Sequence, residues 1–260
     1  MITFLIPSIG RDTLQGSINS IINQTNDNWT LLIIFDGIKS TINISHPKIE
    51  IIEIEKKGRD TNSAGDVRNY GLKYVKTEWV GFVDDDDIIA PDYVESFYNE
   101  IKEYPNIDVL IFRMYREHDN RIIPNINSDN FYIGDVGISF IVKTHIFEKI
   151  QFTPSGVEDY EYLNKLRENN YIILISQYVK YYIRGISDIT KQFERCNHVI
   201  INNENIKEPF NNNNITNYLM ICISIVITIL LSWLVFYKKR LPKVNTFIKL
   251  LLKYINNIFN

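Results

Sequence analysis

Four consecutive carboxylates, Asp84 to Asp87, are the feature of this sequence best suited to chemistry. They directly follow an apolar run, Val80 to Val83, whose length is typical of a buried strand. Adjacent carboxylates repel one another unless a positive charge lies among them. A hard divalent cation that keeps some coordination sites for phosphate oxygens meets that need. In open α/β sheets ligands bind beyond the carboxyl ends of strands, which is where this run falls. A solvated acidic turn is the alternative.

Composition sets the class of protein. The 260 residues are 45% apolar and 23% charged, which is ordinary for a globular protein with one sizeable core. A formal net charge of -3 gives no reason to expect nucleic acid as a partner. The two cysteines, Cys196 and Cys222, suggest neither a disulfide framework nor a metal site. Residues 1–7 have no basic segment, and their apolar run is too short for a secretory signal.

Strands and helices alternate along the first half of the chain, which predicts an α/β protein with a mainly parallel sheet flanked by helices. Asp12 or Thr13 can cap the first helix, and Pro91 suits the first position of the third. The predicted helices are 13–23, 65–74, 91–104, 144–150 and 158–168. The predicted strands are 2–6, 29–35, 49–54, 79–83, 109–115, 171–175 and 178–183, with further short strands within 131–142.

The C-terminal part differs from the rest. Residues 218–237 are almost wholly apolar and carry no charge, and about 20 such residues span a bilayer as a helix. This predicts a transmembrane helix, with a buried core helix as the alternative. Residues 243–260 predict an amphipathic tail helix in the membrane interface, unless it packs on the protein. The predicted domains are therefore 1–195, an Asn-rich linker at 196–217, the membrane helix and the tail.

Six short segments occur in an order that is typical of one enzyme family. They are Phe4-Leu-Ile-Pro-Ser8, Ser20-Ile-Ile-Asn-Gln-Thr25, Leu32-Ile-Ile-Phe-Asp-Gly37, Val67-Arg-Asn-Tyr-Gly71, Phe82-Val-Asp-Asp-Asp-Asp87 and Val157-Glu-Asp-Tyr-Glu161. Together they resemble the family 2 glycosyltransferases, which have the GT-A fold and use nucleotide-sugar donors. The fifth segment resembles the metal-binding DXD motif of that family. The resemblance covers about residues 2 to 190 and does not identify a substrate.

The resemblance implies a donor site for a nucleotide sugar, with a UDP-sugar expected. Asp86 is implied as the direct ligand of Mn²⁺ or Mg²⁺, Asp84 as a ribose or metal ligand, and Asp87 as an assisting group. Asp36 takes the position that reads the base, and Ser187 lies with Arg184 near the donor phosphates. The implied donor-binding residues are Ser8, Asp36, Arg68, Asp84, Asp85 and Arg184.

Catalysis in this family needs a group that takes the proton of the acceptor hydroxyl, and a carboxylate is suited to that role. The resemblance assigns it to Asp159, with Glu158 beside it, and implies inversion at the anomeric carbon. The alternative is that this acidic pair only stabilises the start of its helix. One departure from the family leaves the identity of the donor's nucleobase open: Ile9 replaces an aromatic residue of the first loop. Phe35 replaces the first Asp of the usual pair, so the position that reads the nucleobase falls on Asp36.

The expected function is therefore a membrane-anchored, metal-dependent glycosyltransferase with an unidentified glycan, lipid or protein acceptor. One alternative is an inactive nucleotide-binding or scaffold protein with the same fold. A nucleotidyltransferase is another, although residues 8–13 lack the Gly-rich basic signature that it would need. A cytosolic catalytic domain is expected because sugar nucleotides are made in the cytosol. The basic residues within 238–243 favour the opposite orientation.

Overall fold

A computed structural model describes residues 1–58 and 64–183 of the chain. Within these two ranges no helix is both long enough and apolar enough to cross a bilayer. The predicted linker, membrane helix and tail helix lie outside the described residues, as do Arg184 and Ser187.

In the described part of the chain nine strands form one sheet, and four α-helices and three short 3₁₀ helices connect them. The strands are β1 (Ile2–Ser8), β2 (Trp29–Asp36), β3 (Ile49–Ile54), β4 (Trp79–Phe82), β5 (Ile88–Ile89), β6 (Val109–Arg116), β7 (Arg121–Ile123), β8 (Phe140–Lys143) and β9 (Ile173–Ile183). The α-helices are α1 (Leu14–Ile22), α2 (Gly65–Gly71), α3 (Tyr93–Glu103) and α4 (Glu158–Glu168). The 3₁₀ helices are Leu72–Tyr74, Glu117–Asp119 and Thr144–Glu148.

The sheet is mixed rather than mainly parallel. Its strand order is β3-β2-β1-β4-β8-β6-β9-β5, with β7 paired to β6 outside this path. The pairs β1–β2, β1–β4, β2–β3 and β6–β9 are parallel, whereas β4–β8, β5–β9, β6–β7 and β6–β8 are antiparallel. Parallel neighbours need a long crossover, which is usually a helix. The chain between β6 and β8 has no α-helix, so β8 returns antiparallel, whereas α4 precedes β9 and that strand lies parallel to β6.

The core lies on both faces of the first strands. All seven residues of β1 are buried, which explains why this strand reads as a continuous apolar run. Beneath the carboxyl end of β4 an aromatic cluster packs α4 against the sheet; its members are Phe82, Phe140, Phe147, Phe152 and Tyr162. Burying side chains of this size stabilises the fold by roughly 1.5–3 kcal/mol each, so the cluster gives the start of α4 a firm support.

Three local predictions are wrong in detail. Pro91 is not the first helical residue, because its carbonyl accepts a bond from Thr25 N and the helix begins at Tyr93. The strands predicted at 171–175 and 178–183 are one strand, since β9 continues alongside β6 across an irregularity in the pairing. Within 131–142 strand structure occurs only in the part of β8 that begins at Phe140.

Candidate active site

The parallel strands β1, β2 and β4 end at one edge of the sheet, and the predicted site residues follow them there. Ser8 ends β1, Asp36 ends β2, and the acidic turn Asp84–Asp87 follows β4. The turn is not splayed into solvent: Asp85 and Asp87 are buried, and Asp84 and Asp86 are half-buried. The structure therefore brings three separate sequence motifs to the same edge.

Asp85 connects the acidic turn to the loop after β1. Its carboxylate accepts hydrogen bonds from Ser8 Oγ at 2.8 Å and from Ile9 N at 3.2 Å, and it forms an ion pair with Arg11. Its backbone carbonyl accepts a bond from Thr13 Oγ1 at 2.9 Å. Thr13 precedes α1 as predicted, but its hydroxyl makes no capping bond to that helix. Ser8 and Asp85, both predicted to bind the donor, thus bind each other.

Arg68 of α2 lies between the two acidic motifs. Its Nη2 is 2.5 Å from Asp84 Oδ1, and its Nη1 is 2.6 Å from Glu158 Oε1 and 3.6 Å from Asp159 Oδ1. Burial by itself would lower the pKa of this guanidinium, but the three carboxylates outweigh burial and raise the pKa. Arg68 is therefore charged and holds the acidic turn against the start of α4.

Glu158 fastens the beginning of α2 to α4. Its carboxylate accepts bonds from Ala64 N and Gly65 N, both at 3.0 Å, in addition to the bond from Arg68. The side chain is buried, at 8% exposure. The sequence left open whether this acidic residue acts in catalysis or stabilises a helix start. The observed contacts satisfy the first amides of α2, a helix different from the one that carries Glu158.

Asp159 is a carboxylate of this site with a raised pKa. Its side chain is 24% exposed, and its Oδ1 is buried without a hydrogen-bond partner among the described residues. Burial raises the pKa of Asp159 to about 7; Arg68 opposes this rise, and the charges of Asp84 and Glu158 add to it. A carboxyl group with this pKa exchanges its proton near neutral pH.

Asp36 organises the loop that follows β3. Its carboxylate accepts bonds from Lys57 N at 2.6 Å and Gly58 N at 2.9 Å, and Lys56 Nζ lies 3.5 Å away. A Cβ on Gly58 would lie 2.7 Å from Asp36 Oδ2, so the close approach requires glycine. The structure places Asp36 at the predicted edge, with its oxygens directed to this loop.

Few protein ligands for a metal ion lie at the acidic turn. Within the described residues no group of three or more His, Cys, Asp or Glu side chains could hold a metal ion. Asp84 and Asp86 keep side-chain exposures of 34% and 10%, and Arg11 Nη1 lies 3.4 Å from Asp86 Oδ2. Proteins commonly bind Mg²⁺ through one or two carboxylates, and phosphate oxygens of a substrate supply further ligands. Asp84 and Asp86 could therefore supply two carboxylates to a cation that takes its other ligands from a bound diphosphate.

Sequence reasoning gave no role to Arg11 or Tyr181. Tyr181 Oη accepts a bond from Asp84 N at 3.1 Å. Burial, together with the charges of Asp87 and Asp84, raises the pKa of Tyr181 well above its ordinary value. Arg11 could have been noticed, because it is a lone cation in a loop at the carboxyl edge of the sheet. Tyr181 could not, because it follows Asp84 by 97 residues and belongs to an ordinary apolar strand.

A cavity of about 540 Å³ opens away from these residues, at the amino end of β4. It is lined by residues of the segments 69–78 and 144–151, among them Lys73, Glu78 and His145. Asp84 and its neighbours lie at the other end of β4, so this cavity does not take part in the arrangement described above.

Comparison with known proteins agrees with the geometry. The model of the family described as "Glycosyl transferase family 2" matches residues 3–157 of this chain. The chain is 26% identical over 225 residues to the poly(ribitol-phosphate) beta-N-acetylglucosaminyltransferase TarP of Staphylococcus aureus (strain N315). The match covers 77% of this chain and 66% of TarP, so the chain spans just under two thirds of that relative. TarS of S. aureus in complex with UDP-GlcNAc aligns with a TM-score of 0.57 and 18% identity, covering 78% of this chain and 66% of that structure.

A second similar structure is the mannosyltransferase PcManGT of Pyrobaculum calidifontis in complex with GDP-Man and Mn²⁺. It aligns with a TM-score of 0.51 and 16% identity, covering 67% of this chain and 54% of that one. At these identities the two structures support the α/β fold of the GT-A type, with its mixed sheet.

Proposed function

Since the chain belongs to glycosyl transferase family 2, we propose that it transfers a sugar from a nucleotide-diphosphate donor to an acceptor hydroxyl group. The observation that carries the proposal is the position of Arg68, which joins Asp84 of the acidic turn to Asp159 at the start of α4. A group suited to the donor diphosphate and a group suited to the acceptor proton thereby lie on either side of one guanidinium.

The proposed donor is a UDP-sugar, and UDP-GlcNAc is the first to test. TarP is named as an N-acetylglucosaminyltransferase, and TarS binds UDP and UDP-GlcNAc. Asp36 lies at the end of β2, where the family resemblance places the residue that reads the base. GDP-mannose is the second donor to test, because PcManGT binds it.

The proposed reaction depends on a divalent cation, Mn²⁺ or Mg²⁺, held by Asp86 together with Asp84. When bound, such a cation supplies Lewis-acid stabilisation of the negative charge on the leaving diphosphate. Oxygen ligands are those that Mg²⁺ and Mn²⁺ prefer. The structure of PcManGT with Mn²⁺ supports testing this ion first.

Asp159 is proposed as the general base. The acceptor oxygen forms a bond to the anomeric carbon, the bond from that carbon to the diphosphate oxygen breaks, and the hydroxyl proton passes to Asp159. A base with a pKa near the working pH is efficient, and the pKa of Asp159 is raised to about 7 by burial. Arg68 stabilises the ionised form that accepts the proton. Attack from the side opposite the leaving group inverts the anomeric centre.

The membrane anchor also belongs to the proposal. The apolar segment 218–237 would span the bilayer, the tail 243–260 would lie along its interface, and residues 1–195 would face the cytosol, where sugar nucleotides are made. Protease protection of an N-terminal tag in sealed membranes tests this arrangement. Protection of the tag in vesicles that keep their cytosolic face outward would contradict it.

The activity is tested by incubating the purified chain with Mn²⁺ and a panel of nucleotide sugars, and measuring release of the nucleoside diphosphate. We expect donor hydrolysis with at least one UDP-sugar and none with the Asp86→Ala variant. Binding of nucleotide sugars without turnover of any of them would instead favour an inactive scaffold with this fold.

A further inference from the structure

We propose that Asp85 is a positioning residue, which together with Arg11 fixes the loop 8–13 against the acidic turn and so orients Asp86. Asp85 would then not bind the donor itself, although it lies in the middle of the carboxylate run. The inference rests on the proposed function as far as it concerns what Asp86 binds. The contact between Asp85 and Arg11 can be tested without that premise.

Both oxygens of the Asp85 carboxylate are occupied by partners from the loop 8–13. Oδ2 accepts bonds from Ser8 Oγ and Ile9 N, and Oδ1 pairs with Arg11. The side chain is 2% exposed, whereas that of Asp84 is 34% exposed. A ligand could reach Asp85 only after these bonds had been broken, and a buried carboxylate without partners is costly.

Ser8 carries the network further into the loop. Its hydroxyl donates to Asp85 and accepts a bond from Gly10 N at 2.9 Å. Gly10 adopts a positive φ of 79°, and a Cβ there would lie 2.5 Å from Ile38 Cδ1. The loop therefore has a defined conformation in which Arg11 is presented to the acidic turn.

Arg11 extends the effect of Asp85 to Asp86. The same Nη1 atom that pairs with Asp85 lies 3.4 Å from Asp86 Oδ2. One cation thus reaches two adjacent carboxylates that would otherwise repel each other. Without Arg11, Asp86 would lose this partner and the turn would carry more uncompensated negative charge. The bonds to Asp85 keep Arg11 in place, so the two residues act as a unit on Asp86.

The first experiment measures unfolding of the chain without metal or nucleotide, for Asp85→Asn, Arg11→Met and the double variant. Residues that act as a unit give non-additive effects. We expect both single variants to lower the melting temperature and the double variant to be no worse than the more affected single one. Asp12→Asn is the matched control, because Asp12 is an exposed acid of the same loop. Additive losses would overturn the proposal.

The second experiment measures Mn²⁺ affinity in the presence of UDP by calorimetry, and kcat against Mn²⁺ concentration. Removing a partner that orients a metal ligand typically weakens metal affinity by about 10–100-fold. We expect Asp85→Asn to weaken affinity by roughly tenfold and to raise the Mn²⁺ concentration that gives half-maximal kcat by a similar factor. Arg11→Met should weaken affinity less, because the lost positioning contact is partly offset by the loss of a positive charge that repels the ion. Arg11→Lys, which keeps the charge, should recover part of the loss. If Asp85→Asn abolishes binding while Arg11→Met leaves it intact, Asp85 is itself a ligand and the proposal is wrong.

The two experiments separate this inference from the proposed function. If the unaltered chain binds neither Mn²⁺ nor UDP, the proposed function fails, and the unfolding measurements still decide whether Asp85 and Arg11 act together. If the unaltered chain binds both but the unfolding effects are additive, only the positioning role fails.

Discussion

Arg68 Nη2 lies 2.5 Å from Asp84 Oδ1, and this contact connects the acidic turn after β4 to the helix α2. Nη1 of the same guanidinium pairs with Glu158, so a single buried cation binds two carboxylates that are 74 positions apart in the sequence. The site therefore depends on Arg68 for its geometry before any ligand binds.

Replacing Arg68 by methionine should leave the buried Glu158 and the half-buried Asp84 without their counter-charge. Breaking a buried ion pair by removing one partner costs about 3–5 kcal/mol, so we expect a loss of this order in the free energy of unfolding, measured by urea denaturation. Arg121→Met is the control: Arg121 is 55% exposed, and its acidic neighbours are 3.9 Å and 4.0 Å away. Equal stability of the two variants would show that Arg68 does not hold the site together.

Asp159→Asn tests the proposed base. General-base catalysis contributes about 10²–10⁴ in rate, so we expect kcat to fall by that factor while donor binding changes little. In the unaltered chain kcat/KM should rise with pH and level off above the pKa of Asp159, which is about 7. The measurement is a pH–rate profile between pH 5 and about 9. A profile that is flat through this range would exclude Asp159 as the titrating base.

The same pKa predicts how stability depends on pH. Burial raises the pKa of Asp159 from an ordinary 3.8 to about 7, so the folded state holds the proton more tightly than the unfolded chain. The stability linked to this proton is fully present below about pH 4 and is lost as pH rises through about 7. Asp159→Asn should match the unaltered chain at acid pH and exceed its free energy of unfolding by roughly 2–4 kcal/mol at pH 8. Equal free energies of unfolding at pH 8 would contradict the assigned pKa.

Gly65→Ala tests the contact between Glu158 and the start of α2. A Cβ at position 65 would lie 2.6 Å from Glu158 Oε2, so the carboxylate would have to move away from the amides that it binds. We expect a loss of about 1–3 kcal/mol in the free energy of unfolding, which is typical of overpacking. Gly156→Ala is the matched control, because nothing lies within 4 Å of its added Cβ. If the two variants are equally stable, Glu158 does not need its observed position.

The parts of this molecule that could be predicted from sequence are those set by local pattern. The buried strands β1 and β2 are predicted by largely apolar runs that stop at Pro7 and at Asp36-Gly37, and α4 begins at Glu158 and ends at Glu168 as predicted. The mixed sheet was not predictable in this way, because strand direction depends on connections that local periodicity does not specify.

The candidate site likewise has residues that the sequence identifies and contacts that it does not. The acidic turn was identified from residue types and the pair at the start of α4 from the family resemblance, and the fold places both at one end of the sheet. The partners were not identified, because they are distant in sequence: Glu158 binds Ala64, which precedes it by 94 positions, and Asp85 binds Ser8 across 77. Residue types and the family resemblance indicated which residues matter, and tertiary contacts decide which of them remain accessible to a ligand.

Asp86→Asn is the sharpest test of the cation. Without metal, the change removes one of several adjacent negative charges, and the contact that it weakens is a distant one at 3.4 Å from a half-exposed Arg11. We therefore expect the melting temperature of the metal-free chain to change by no more than about 2 °C, because Arg11 keeps its ion pair with Asp85 and the removed charge also relieves repulsion within the turn. The stabilisation that UDP gives in the presence of Mn²⁺ should disappear, since the diphosphate would lose the ion that attaches it to the turn.

Asp12→Asn should retain this stabilisation, and a chelator added to the unaltered chain should reproduce the behaviour of Asp86→Asn. A Mn²⁺-dependent shift that survives in Asp86→Asn would place the cation on other ligands.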